Sequence, residues 1–143
     1  MTHRNDWNRQ IMQEFHANAG KVGGPFEGKL LLLLTTTGAK SGQRHTTPLA
    51  YLPDRDRLVV IASKGGAPTH PDWYHNLVAH PQVTVEVGNE SGIETFEATA
   101  TVIAGEERDR LYAKHVEVLP GFAEYQAKTS RLIPVIALER RKG

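Results

Sequence analysis

Residues 30–49 read LLLLLTTTGAKSGQRHTTPL, and residues 58–77 echo them as LVVIASKGGAPTHPDWYHNL. Each segment opens as an apolar run of strand length and closes in small hydroxyl residues, glycine and a lysine. A glycine turn lets successive backbone N–H groups converge. Lys40, Arg44 and Lys64 add charge there, and Thr36, Thr37, Ser41 and Ser63 add neutral donors. No acid occurs from Leu30 to Pro53 or from Leu58 to Pro71. Two cationic loops in a chain with 17 basic and 16 acidic residues point to one anionic ligand.

Outward from these loops the pattern predicts strands over 29–36, 46–52 and 57–63, the last two joined by the turn PDRDR. Leu58 to Ala62 is apolar without alternation, which reads as a strand covered on both faces. Val83, Val85 and Val87 alternate with polar residues, and after the turn NESG so do Phe96, Ala98, Ala100 and Val102, giving a hairpin with one buried face. LIPVIALE supplies a last strand. Among helices, Asp6 caps a first one whose Trp7, Ile11 and Phe15 form one apolar stripe and whose stop is Gly20. Pro71 opens a short helix, DWYHNLVA, and two more are expected over 106–118 and 121–129. The expected fold is mainly β with helices, α+β: a largely antiparallel barrel of six strands. Residues 1–24 form an N-terminal helix and hinge, the boundary falling inside the glycine-rich stretch GKVGGPFEG, and residues 25–143 the barrel.

Composition excludes several chemistries. A net charge of +1 gives no field for a polyanion, so no nucleic-acid partner is expected. Without cysteine there is no disulfide, thiolate nucleophile or zinc–thiolate site. The seven histidines lack HExxH spacing, and no metal is expected. GAKSG lacks the spacing of a triphosphate-binding loop, and neither GxGxxG nor GxSxG occurs. The longest apolar run is too short for a bilayer and MTHRNDW is no signal peptide, so the expectation is a cytoplasmic protein without membrane association. Within PDWYHNL, Trp73 and Leu77 share one helical face and Asp72 and Asn76 another, a wall and an amide suited to a heterocycle beside the cationic loops.

Taken together, TTTGAKSG, TPL, ASKGGAPTHPDWYHNL and RLIPVI, in that order, resemble the deazaflavin-dependent nitroreductase family of split β-barrel oxidoreductases, from about Leu30 to Leu138. The resemblance implies an FMN-binding-like split barrel and coenzyme F420, an 8-hydroxy-5-deazaflavin with a phosphate and oligoglutamate tail. By resemblance, Lys40, Ser41, Gly42 and Lys64, with Ala39 and Gly65, hold phosphate and tail carboxylates. Pro48, Ala62, Ser63, Asp72, Trp73 and Asn76 surround the deazaflavin. Where members often read GxPR this chain reads GQRH, so either Arg44 or His45 meets the tail.

The implied activity is reduction by F420H2 of small, hydrophobic, conjugated acceptors: enones, unsaturated lactones of coumarin or furanocoumarin type, quinones or nitro compounds. Tyr125 and Ser63 are the candidate proton donors, and no metal takes part. On the late helix, where drug-activating members carry tyrosines, this chain has Leu119, Phe122 and Tyr125; the stripe of the first helix is expected to pack on the body of the protein, with a lid in which Trp7 and Phe15 close the pocket from the N-terminal side as the alternative. An FMN-dependent split-barrel oxidoreductase and a non-catalytic F420 or heme carrier are the alternatives, and a monomer and a homodimer both fit.

Overall fold

The computed structural model describes residues 3–21, 30–89 and 92–141, with side chains from residue 9 onward except at positions 65 and 89. Its elements are α1 (His3–Ala17), β1 (Leu31–Thr37), β2 (Arg44–Ala50), β3 (Leu52–Asp54), β4 (Arg57–Ile61), α2 (Asp72–Ala79), β5 (Gln82–Asn89), β6 (Gly92–Ile103), α3 (Gly105–Val118), α4 (Gly121–Ala127) and β7 (Val135–Arg140). Most of the expected hinge, part of the NESG turn and the Trp7 side chain lie outside the described residues.

The strands form one antiparallel sheet in the order β2-β1-β5-β6-β7-β4-β3. Its two edges, β2 and β3, are separated in the chain by Tyr51 alone, whose N–H bonds the Leu30 carbonyl at 3.2 Å. A single residue can join opposite edges only if the sheet curls until they meet, which makes the half-barrel. The sheet therefore has seven strands where six were expected: the run 46–52 bends at Tyr51, leaving β1 for β4. β3 is short and carries Pro53, which lacks a ladder donor and suits an edge. Asp54 pins this edge to α3. It accepts from Arg57 at 2.9 and 3.1 Å and faces Arg110 at 3.6 Å, and the Arg57 hydrogen bond holds its carboxyl below the usual value.

Leu32 and Leu34 point into the barrel, where Val60, Val83, Val85, Ile136 and Leu138 meet them. Leu31 and Leu33 point outward and are covered by Ile11 and Phe15 of α1. Val59, Ile61 and Val135 likewise face Leu111 and Tyr112 of α3. Both apolar runs are thus buried on two faces, as continuous hydrophobicity requires. Phe15 is fully buried beneath the outer face of β1. The packed-helix expectation therefore describes Phe15, and the alternative in which it serves as a lid is corrected: it belongs to the core.

Other boundaries shift. The first helix begins at His3 rather than beside Asp6, and Pro71 caps α2 instead of entering it. The strand expected over 57–63 stops at Ile61, because Lys64–Gly66 form a tight 3-10 turn. The final strand starts at Val135, past Pro134, and α4 ends at Ala127. Helix α1 leaves through Gly20 (φ +90°), where a Cβ would stand 2.5 Å from the Gly88 Cα, so two glycines let this turn rest on β5.

Candidate active site

A concave cavity of about 750 Å³ opens where the end of β1, the loop 38–43, the start of β2 and the first turns of α2 meet. That is the size of a cofactor or substrate pocket. The first cationic loop is preshaped. Gly38 N–H donates to the Gln43 carbonyl at 2.7 Å and Gly42 N–H to the Gly38 carbonyl at 3.0 Å, with Gly42 at φ +72°. The Ser41 hydroxyl accepts from Gln43 N–H at 3.1 Å. Asn76 fastens this loop to the barrel, its Oδ1 accepting from Ala39 N–H at 3.0 Å and its Nδ2 donating to Thr36 Oγ1 at 3.2 Å. Two of the amide's bonds therefore hold the loop, and one Nδ2 hydrogen remains for a ligand.

Of the sequence-predicted residues, Ala39, Lys40, Ser41, His45, Asp72, Trp73 and Asn76 line this cavity. Trp73 contributes a largely buried indole wall continuous with the barrel core. Arg44 and His45 part company, since adjacent strand residues point to opposite faces. His45 pairs with Thr36 and shares the cavity face, whereas Arg44 donates to Thr84 Oγ1 at 2.6 Å, and Thr84 to Glu97 at 2.6 Å, on the outer face. Pro48 pairs with Leu33 and so lies on the face that α1 covers. Gly42 is at the open tip of its turn.

The second loop lies outside the cavity lining. Ala62 is core, Ser63 is buried, and the exposed Lys64 donates to Thr69 at 3.3 Å, with Gly65 inside the 3-10 turn. Tyr125 packs edge-on against Phe122 at 5.3 Å in the cluster under α3 and α4, and its carbonyl abuts Gly66. Of the two candidate proton donors, Ser63 thus belongs to the second loop and Tyr125 lies on the helix packed against it.

His75, which reads from sequence as a surface or capping residue, lines the cavity together with Thr46 and Thr47. Extending the strand two residues towards its N-terminus would have placed Thr47 on the His45 face. The sequence reading passed over Arg131, which binds the carbonyls of Ala62, Ser63 and Ala67 and the imidazole of His70.

His70 and His115 titrate below the ordinary 6.5, chiefly because burial penalises the imidazolium. Arg131 and His75 reinforce this at His70, while the Leu111 carbonyl opposes it at His115. On acidification the unfolded chain takes up these protons first. Their contribution to stability is complete above 6.5 and is lost as pH falls through the depressed folded values. Thermal midpoints should be flat near neutrality and fall below about pH 6. His115→Leu should flatten that slope, and an unchanged slope would contradict the assignment.

Among the described residues no helix is long and apolar enough to cross a membrane. A sequence profile described as F420H(2)-dependent quinone reductase matches residues 7–140. An F420H(2)-dependent quinone reductase of Mycobacterium tuberculosis is 43% identical over 115 residues, covering 77% of this chain and 73% of its own. Among solved structures, an F420-H2 dependent reductase, FDR-A, superposes with a TM-score of 0.68 at 44% identity, covering 76% of this chain and 93% of that one. A protein described as a domain-swapped dimer superposes with a TM-score of 0.70 at 38% identity, covering 95% and 96%.

Proposed function

Because this chain belongs to the F420H(2)-dependent quinone reductase family, oxidoreductases whose cofactor is coenzyme F420, we propose that its cavity seats the deazaflavin and serves hydride transfer to small electron-poor acceptors. The observation that carries this reading is the cavity itself. Lys40, the Ser41 turn and His45 gather donors on one side, and Trp73 offers a flat apolar wall on the other. Asp72 is the one carboxylate in the lining, so an anionic, planar group meets far more donors than repulsion.

The bound cofactor supplies a hydride at C5 and thereby the difficult chemistry. What remains for the chain is binding, orientation and exclusion of water. Asn76 fixes the loop that carries Lys40, and Trp73 is held by the barrel core, so both walls are rigid before anything binds. An acceptor that gains hydride at carbon gains one proton at the neighbouring atom. Ser63, at the start of the second loop, and Tyr125, on the helix packed against that loop, are the proposed donors.

For the acceptor the proposal looks to the junction of α3 and α4, where Leu119, at the end of α3, and Phe122 of α4 carry no hydroxyl and Phe122 is braced by Tyr112 and Tyr125. This favours flat, hydrophobic, conjugated carbonyl compounds, namely quinones, enones and lactones of coumarin or furanocoumarin type, over bicyclic nitroimidazoles. Steady-state oxidation of F420H2 with each class is the test. Carbonyl acceptors should turn over faster, and faster nitroimidazole turnover would contradict the proposed pocket.

A further inference from the structure

Arg131 stands between α4 and β7, and among the described residues its guanidinium bonds carbonyl oxygens and an imidazole instead of a carboxylate. Nε donates to the Ala67 carbonyl at 2.8 Å, Nη2 to the Ser63 carbonyl at 2.7 Å and Nη1 to the Ala62 carbonyl at 3.3 Å. Nη1 also meets His70 Nδ1 at 3.0 Å, which makes that nitrogen the acceptor and places the His70 proton on Nε2. One guanidinium fork therefore grips the chain before Lys64, immediately next to it, and after it.

Lys64 needs such a grip. Its φ of +48° lies in the left-handed region that a side chain with a Cβ seldom occupies. The local bonds that accompany it, Gly66 N–H to the Ser63 carbonyl at 3.0 Å and Ala67 N–H to the Lys64 carbonyl at 3.2 Å, close one tight turn only. From above, α4 seals the turn: a Cβ on Gly66 would stand 2.8 Å from the Tyr125 carbonyl. From below, Arg131 is itself placed by a second arginine. Arg108 donates to the Ile133 carbonyl at 2.7 Å and to Gln126 Oε1 at 2.7 Å, and Gln126 Nε2 donates to the Arg131 carbonyl at 2.8 Å. A chain of hydrogen bonds, charge-assisted at its two arginines and linked by the neutral Gln126 amide, thus runs from α3 to the loop that carries Lys64.

We propose that Arg131 is a positioning residue for the cofactor's anionic portion: by clamping the carbonyls of Ala62, Ser63 and Ala67 it holds Lys64 in the conformation that meets phosphate or tail carboxylate. This rests on the F420 site reading given above. Arg131 touches the loop backbone and acts through Lys64. A lysine in its place would keep the charge but could not fork to three carbonyls, so charge and geometry are separable.

The experiment is fluorescence titration of three ligands: the bare 8-hydroxy-5-deazaflavin without phosphate or glutamates, the same compound with phosphate, and complete F420. The proteins are the full-length wild type, Arg131→Met, Arg131→Lys, Lys64→Ala and the Arg131→Met/Lys64→Ala double variant. Both Arg131 variants should bind F420 roughly tenfold more weakly, the size of one charged hydrogen bond, with the bare deazaflavin changed by less than about twofold. Adding Lys64→Ala to Arg131→Met should cost little more, because the lysine is already misplaced. The ligand at which the loss first appears tells whether phosphate or glutamate carboxylate is the group met. Unchanged F420 binding in Arg131→Met overturns the proposal, as does an equal loss for the bare deazaflavin, which would mean a general structural role, or full additivity with Lys64→Ala. A lysine variant that binds like wild type would make charge alone sufficient and overturn it too. If the wild type binds F420 no better than the bare deazaflavin, the site reading fails and takes this proposal with it.

Discussion

Phe15→Ala is expected to lower folding stability by about 3–5 kcal/mol, the range for emptying a fully buried aromatic site. Phe15 has no exposed surface and packs with Ile11 on Leu31 and Leu33, the outward-facing residues of β1. The cavity lies on the other face, with Thr36 and His45. Truncation would therefore open a void under the strand from which the first cationic loop springs, and a domain of this size should melt roughly 10 °C lower. Acceptor Michaelis constants measured well below the melt should stay near the wild-type values. A raised Michaelis constant with an unchanged melt would restore the lid reading.

The second large effect concerns binding. Lys40→Ala should weaken F420 by about 1.5–3 kcal/mol, the range for hydrogen bonds to charged groups, or roughly tenfold to a hundredfold. Lys40 is exposed at the cavity edge, and its loop is held by the Gly38–Gln43 and Ala39–Asn76 bonds, neither of which uses the lysine side chain. Its loss should leave the fold and the thermal midpoint intact. An unchanged dissociation constant would remove Lys40 from the site.

Much of this molecule is legible in the chain because the signals are local. Leu30 to Leu34 and Leu58 to Ala62 announce two-faced burial by lacking alternation, and the strands that contain them are covered from within and without. The cationic loop and PDWYHNL can be placed together because each is a contiguous motif, and the cavity unites them. What escaped depends on long-range closure. Tyr51 interrupts its strand only because the sheet must curl, a condition no window of sequence contains. Periodicity gave α1 an apolar stripe but could not say what the stripe faces, so a lid stayed open beside the favoured packed helix until Phe15 was seen on Leu31 and Leu33. Arg44 and His45 differ by one strand position, and one position exchanges the faces. Arg131 sits more than sixty positions from the carbonyls it grips, beyond any spacing rule.

The preshaped cavity and the cationic loops beside it are proposed to select a deazaflavin with a polyanionic tail. Side-by-side titration of the purified protein with F420 and with FMN, at low and at high salt, tests this selection most directly. F420 should bind far more tightly, and its advantage should shrink as salt screens the exposed charges of the loops. Equal affinity for the two cofactors, or an F420 affinity indifferent to salt, would contradict it.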